Sequence, residues 1–106
     1  MYRVKARHYC LRPQAGADLD GHARNIARDN LEAGLHLYNQ AQETYQMLAD
    51  MPKIGAIYHT GKSELMGIRY MPIKGFVRYL VFYKPIDDGV DIIRVLHDRL
   101  DRDGWL

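Results

Sequence analysis

Residues 75–97 read GFVRYLVFYKPIDDGVDIIRVLH and contain the two most strand-like runs of the chain. Seven of the eight residues from 76 to 83 are apolar or aromatic, which is typical of a strand covered on both faces. A second apolar run, VDIIRVLH, follows at 90–97 after the turn sequence Pro-Ile-Asp-Asp-Gly. The two runs predict an antiparallel hairpin whose first strand is central in a sheet.

The residues before this hairpin predict one more strand and a connecting loop. LMGIRYM at 65–71 ends at Pro72, and a Lys74-Gly75 turn joins it to the central strand. Residues 53–64, KIGAIYHTGKSE, contain two glycines and no sustained period, which predicts a loop. The second half of the chain is therefore expected to form a three-stranded antiparallel meander.

The first half of the chain predicts a strand and two helices. Residues 2–9 alternate with the period of two that is typical of a half-buried strand. Pro13 suits the first position of a helix over 13–28, and Asn30 suits the N-cap of a second helix that ends before Pro52. The stripe of this second helix expected to face the core is Leu31, Leu35, Tyr38, Ala41, Tyr45 and Leu48.

This order predicts an α+β fold in a single domain over residues 1–106. An N-terminal strand and an antiparallel helix hairpin precede the meander, the sheet packs on the helices, and the first strand joins an edge. The composition, 47% hydrophobic and 26% charged, is that of a globular domain. No apolar run approaches the roughly 20 residues that span a bilayer, and the charged N-terminus does not resemble a targeting segment. We expect a cytoplasmic protein in which Cys10, the one cysteine, is a buried and inert thiol.

The net charge of +2 is the result of cancellation between segments. Residues 1–14 and 51–84 are basic, with balances of +4 and +5, whereas residues 15–50 and 85–106 are acidic, with balances of −4 and −3. Local basic and acidic surfaces can therefore exist on a protein whose overall field is weak. An RNA-cleaving protein is expected to carry a more basic surface.

The chain resembles the ParE/RelE superfamily of toxins from bacterial type II toxin–antitoxin modules. The resemblance lies in ADLDGHARNIARDN at 17–30, MLADMPKIG at 47–55, and GFVRYLVFY followed by a turn and IIRVLH, with Arg99 and Asp101 close behind. The order and spacing of these pieces carry the resemblance, and they imply the fold predicted above. The IIRVLH run with Arg99 and Asp101 is closer to ParE than to RelE.

The resemblance implies two alternative functions. ParE-like members bind and poison DNA gyrase, causing growth arrest and supporting plasmid maintenance, whereas RelE-like members are ribosome-dependent mRNA endonucleases. This chain has no Tyr after Tyr83 and has Leu80 where RelE-like enzymes carry an Arg, so we expect gyrase inhibition without catalytic residues. The alternative is RelE-like mRNA cleavage, in which His97 can serve as acid or base. A non-toxic member that only binds its antitoxin is a third interpretation.

Strand positions and the resemblance together give candidate site residues. Predicted target-binding residues are Arg69, Arg78, Arg94, His97, Arg99 and Trp105, of which Arg78, Arg94, His97 and Arg99 would be catalytic in a nuclease. Arg94 is the strongest candidate because a charge within an apolar strand needs a partner or a task. The alternative for any of these arginines is a place on the solvated face of the sheet or a structural ion pair with Asp91, Asp98 or Asp101.

The resemblance also implies a ParD-like antitoxin as partner. Predicted antitoxin-binding residues are Arg3, Arg7, Leu35, Tyr38 and Tyr79, with the basic segments 1–14 and 51–84 flanking the groove. The five histidines lack zinc-site spacing, so we predict neither a metal nor a cofactor. We also expect no membrane association and no sequence-specific nucleic-acid binding by the toxin alone.

Overall fold

A five-stranded mixed sheet carries a helix hairpin on one face. The computed structural model describes residues 7–99, 104 and 106. The elements in chain order are β1 (His8–Leu11), α1 (Pro13–Ala27), α2 (Leu31–Asp50), β2 (Ala56–Ile57), a 3₁₀ turn (Ser63–Leu65), β3 (Arg69–Ile73), β4 (Phe76–Ile86) and β5 (Gly89–His97). The strand order is β1-β5-β4-β3-β2, in which β1 runs parallel to β5 and the other neighbours are antiparallel.

The helix boundaries follow the predicted signals. Proline is the first residue of α1, where its missing N–H costs no helical hydrogen bond. The Asn30 side chain accepts a hydrogen bond of 3.1 Å from Ala33 N and so caps α2. The α+β fold, the helix hairpin and the edge position of the first strand are confirmed, although residues 2–6 of the predicted strand lie outside the described residues.

β1 extends to Leu11, two residues beyond the predicted end of the first strand. The boundaries of the strands after the helices differ from the prediction in three places. The segment 53–64 is not wholly a loop, because Ala56–Ile57 pairs with β3 as β2. β3 begins at Arg69 and not at Leu65, since Leu65 ends a 3₁₀ turn and Gly67 has a φ of 91° that interrupts an extended chain.

The third difference is that β4 continues through Pro85 to Ile86. β3 begins opposite Tyr83, so among residues 7–99 no strand pairs with β4 at Pro85 on the side that faces away from β5. A proline is tolerated at such an edge.

Two clusters of buried side chains cover the two faces of β4. Val81 and Tyr83 pack toward the helices, whereas Leu80 and Phe82 pack under the segment between β2 and β3. The prediction of a central strand covered on both faces is therefore confirmed for the four buried residues of β4. Cys10 is exposed, which corrects the expectation of a buried thiol. Its neighbour Tyr9 packs on Tyr45 of α2, so strand alternation directs Cys10 away from the helices.

The buried stripe of α2 differs from the predicted one in the N-terminal half of the helix. Leu31, Leu35 and Tyr38 are 67%, 60% and 40% exposed. Ala41, Tyr45 and Leu48 are buried as predicted, together with Gly34, Leu37, Thr44 and Ala49. At Gly34 the two helices approach so closely that an added Cβ would lie 2.8 Å from both Ala23 O and Ala27 Cβ. This close contact faces α1 and leaves the two leucines on the outside.

Replacing Gly34 with Ala is expected to lower the free energy of unfolding by about 1–3 kcal/mol, because overpacking outweighs the gain in helix propensity. Gly21→Ala in α1 is the matched control, since nothing lies within 4 Å of the added Cβ. This control should stabilise the protein by up to about 1 kcal/mol. Urea unfolding of both variants measures the difference, and equal effects would contradict close packing at Gly34.

Candidate functional site

Side chains of α1 complete the edge of β5 where β1 ends. The last pair between β1 and β5 is Leu11 with Ile92. Among the described residues, the outer edge of β5 has no strand partner beyond that point. Val95 N donates to Asp18 Oδ2 at 3.0 Å, and Val95 O lies 2.7 Å from His22 Nε2. Because a carbonyl only accepts hydrogen bonds, His22 carries its proton on Nε2 in this contact. Asp18 and His22, one helical turn apart, thus satisfy both backbone groups of Val95.

Arg94 binds the same carboxylate. Its Nε donates to Asp18 Oδ2 at 2.7 Å and its Nη2 donates to Asp18 Oδ1 at 2.9 Å, which is a bidentate pair. The two side chains are only 13% and 9% exposed. Burial raises the pKa of Asp18, but the hydrogen bonds from Arg94 and from Val95 N lower it by more than burial raises it. The pKa of Asp18 therefore lies below its ordinary value.

The partner of Arg94 differs from those predicted for it. A charge in this strand does have a partner, as predicted, and among the described residues that partner is Asp18 of α1. The predicted partner Asp101 lies outside the described residues. The guanidinium is mostly buried against α1, so it offers little surface to another molecule.

Other predicted target-binding residues meet around Asp98. Arg78 Nη1 lies 3.6 Å from Asp98 Oδ2, and the His97 ring packs edge-on against Tyr79 with centroids 5.1 Å apart. His97 Nδ1 lies 3.1 Å from Arg99 N and also 3.1 Å from Asp98 Oδ1. One ring nitrogen cannot form both contacts at once, since it either accepts from Arg99 N or donates to Asp98.

Arg69 lies away from this cluster. It is opposite Tyr83, which is four positions along β4 from Tyr79, or about 13 Å of strand. Its Nη1 donates to the carbonyls of Lys53 at 3.1 Å and Gly55 at 2.8 Å. The structure therefore brings together Arg78, His97 and Arg99 but separates them from Arg69, and Trp105 lies outside the described residues.

The predicted antitoxin-binding residues do not form one patch. Leu35 and Tyr38 share the exposed side of α2, where Tyr38 donates to Asp20 Oδ1 at 2.6 Å. This hydrogen bond raises the pKa of Tyr38. Tyr79 is half-buried between the rings of His22 and His97, and Arg7 lies near the C-terminal half of α2, where its carbonyl accepts from Gln46. Arg3 is outside the described residues.

An open apolar groove lies at the C-terminal end of α2, and we name it the proline groove. It has a volume of about 570 Å³ and is lined by Arg7, Met51, Pro52, Lys53, Ile54, Pro85 and Ile86. The sequence pattern did not predict it, because these residues come from three separate segments. The only local signal was the clustering of Met51, Pro52 and Ile54 where a loop was expected to begin.

Tyr83 holds one wall of the proline groove in place. Its buried hydroxyl donates to Pro52 O at 2.8 Å and accepts from Gly55 N at 2.9 Å. A Cβ at Gly55 would lie 2.5 Å from that hydroxyl, so only glycine fits this approach. With the two hydrogen bonds from Arg69, the 52–55 backbone is fixed at four points.

Comparison with known proteins identifies the family. The model of the family described as ParE toxin of type II toxin–antitoxin system, parDE, matches residues 9–102. The chain belongs to the ParE toxin family. The chain is also similar to a solved structure of the chromosomal ParDE toxin–antitoxin system from P. aeruginosa, with 16% identity and a TM-score of 0.68 over 86% of this chain and 95% of that one. This likeness shows the fold, and no curated protein matches the chain.

Membership in the ParE family confirms the resemblance inferred from the sequence. Among residues 7–99, 104 and 106 of this ParE-family toxin, no group of three or more His, Cys, Asp or Glu side chains is arranged to hold a metal ion. Within the same residues, no helix is long and apolar enough to cross a membrane.

Replacing Asp18 with Asn is expected to lower the free energy of unfolding by about 2–3 kcal/mol, because the Arg94 charge loses its buried partner. Asp20→Asn is the matched control, since it removes an equal charge from α1 at an exposed position. This control should change stability by less than about 1 kcal/mol. Urea unfolding at neutral pH makes the comparison, and similar losses in both variants would argue against a special role for Asp18.

The Asp18 contribution is also expected to disappear in acid. The folded-state pKa of Asp18 lies below its ordinary value of about 3.9, so its contribution is complete above that pH and is lost as the pH falls through the folded-state pKa. The stability difference between the wild type and Asp18→Asn should therefore shrink below about pH 4. Urea titrations from neutral pH to pH 2 test this, and a constant difference would contradict it.

Proposed function

We propose that this ParE-family chain arrests growth by binding DNA gyrase, without chemistry of its own, and that a ParD-like antitoxin encoded beside it neutralises it. The family description, a toxin of parDE systems, supports both the toxin role and the antitoxin partner. The similar solved structure from P. aeruginosa is likewise that of a ParDE system. The proposal places the chain in the cytoplasm together with gyrase.

The proposal rests on one observation, which is that the candidate catalytic side chains are bound to other groups of the same chain. Cleavage of RNA needs cations aimed at developing negative charge and an acid or base that reaches the substrate. Arg94 is held by Asp18, and Arg69 is held by two backbone carbonyls. The carboxylate of Asp98 lies beside Arg78 and His97, where it opposes an anionic substrate. These contacts favour a rigid binding surface over a nuclease site.

The proposed gyrase contact includes Arg78, His97 and Arg99, which lie at the open end of the β4–β5 hairpin, opposite its turn. The Arg78 side chain is 60% exposed and its ion pair with Asp98 is long, so it remains available to an acidic protein surface. Arg99 is also exposed. Leu35 and Tyr38 on α2 are on a different part of the surface and are assigned to the antitoxin.

Purified chain should inhibit supercoiling of relaxed plasmid by gyrase and leave ribosome-bound messenger intact. Double replacement of Arg78 and Arg99 by Ala should weaken this inhibition by about tenfold, because two exposed charges that contact the target are lost. Replacement of Lys74 and Lys84 by Ala is the matched control, since it removes two other exposed cations.

Two results would contradict the proposal. Messenger cleavage that disappears in His97→Ala, with supercoiling unaffected, would assign the RelE-like activity. Growth unaffected by induction without the antitoxin would indicate a non-toxic member that only binds its partner.

A further inference from the structure

The proline groove has the composition of a docking site for an acidic, apolar segment. Met51, Ile54 and Ile86 are 49%, 45% and 40% exposed, although most large apolar side chains of the sheet are buried. Two prolines complete the apolar lining, and its two charged members, Arg7 and Lys53, are both cationic. Clustered apolar surface with a charged rim marks a contact site. The sign of the rim selects a partner segment that carries carboxylates.

The groove exists before any partner arrives. The Tyr83 hydroxyl and the Arg69 guanidinium hold the backbone from Pro52 to Gly55, and the two prolines have fixed φ angles. A partner segment therefore loses its own conformational freedom on binding but does not have to order the groove.

The exposed face of α2 leads from this groove to a second apolar patch. Leu35, Asn39, Gln42 and Gln46 follow helical spacing on one exposed face. Leu35 lies about 24 Å along the helix axis from Met51, and its neighbour Leu31 about 30 Å. Both distances are beyond the reach of a small molecule but within the reach of a short chain segment. The amide side chains between the two patches can hydrogen-bond to the backbone of such a segment.

We propose that the proline groove binds an acidic, apolar segment of the antitoxin, the partner named in the proposed function. Bulky apolar side chains of this segment fill the space between Ile54 and Ile86, and adjacent carboxylates pair with Arg7 and Lys53. A polar stretch follows the amides of α2 toward a second apolar contact at Leu31 and Leu35. The groove is thus a second antitoxin contact, distinct from the gyrase contact at Arg78 and Arg99.

The antitoxin of the chain's own ParDE module is the probe, and its Kd for the full chain is measured by calorimetry. Ile54→Glu places a carboxylate among the apolar side chains and should raise the Kd by at least about thirtyfold. Val77→Glu is the matched control, because Val77 is 73% exposed and lies at the opposite end of β4, about 30 Å from Ile86. This control should leave the Kd within about twofold.

Lys53→Glu is a second variant, and it leaves the apolar side chains of the groove unchanged. It should raise the Kd by about tenfold at low salt and less at high salt, because it reverses a charge on the rim. Lys62→Glu, which reverses an exposed charge outside the groove, should have little effect. Unchanged thermal unfolding of all four variants shows that any loss of affinity is local.

Gyrase inhibition separates this inference from the proposed function. Ile54→Glu should inhibit gyrase as the wild type does but resist neutralisation by the antitoxin. If the wild type does not inhibit gyrase, that part of the proposed function fails, while the Kd comparison still tests the groove. An unchanged Kd in both groove variants would overturn the inference. In an Ile54→Glu variant that keeps its antitoxin affinity, loss of gyrase inhibition would assign the groove to gyrase. Loss of a self-association that the wild type shows would assign it to a second copy of the chain, and either result would overturn the inference.

Discussion

The pairing of Asp18 and His22 with the backbone of Val95 fixes the position of α1 on the sheet. β1 is too short to cover β5 beyond Ile92, and an unpaired N–H and C=O at this half-buried edge would each cost free energy comparable to a lost hydrogen bond. A carboxylate and an imidazole one turn apart on α1 supply the missing acceptor and donor. These contacts set the distance of the helix from the sheet and its rotation.

The position of α2 follows from that of α1. The helices meet at Gly34, so once α1 is fixed, the side of α2 that faces the core is fixed as well. Thr44 lies on that side, where its hydroxyl donates to Gln40 O at 2.8 Å and accepts from Lys74 N at 3.1 Å. The turn between β3 and β4 is thereby tied to α2. The contacts at the edge of β5 position α1, and α1 positions α2. The exposure of Leu31 and Leu35 on the outer side of α2 follows from these contacts.

Local signals predicted the elements well, whereas contacts between distant residues determined what the sequence did not reveal. Pro13, Asn30 and Pro52 mark the helix ends because each acts on its own backbone. The predicted stripe of α2 is correct at Ala41, Tyr45 and Leu48 but wrong in the N-terminal half, because Leu31 and Leu35 fit a helical period as well as the buried residues do. Gly34 decides between the two stripes through its close approach to α1, and hydrophobic periodicity cannot detect a glycine contact.

The sequence predicts that Arg94 needs a partner but does not predict which residue that partner is. A charge at position 94 in an apolar strand required a partner, yet that partner is 76 residues away in α1. Such a distance in sequence offers no spacing rule from which to choose Asp18 over nearer acids.

Internal pairing also changes the meaning of the segment charges. Arg94 and Asp18 neutralise each other, Arg12 binds Asp91 at 2.6 Å, and Arg69 is held by carbonyls. The balances of segments 1–14 and 15–50 therefore overstate the charge that these segments present to a partner, and Arg69 of segment 51–84 is already engaged. The two cations of the proline groove are different, because they lie on the rim of an apolar surface that excludes water when it is covered. Arg7 and Lys53 therefore contribute more to the choice of partner than the larger net charges of segments 1–14 and 51–84, to which they belong.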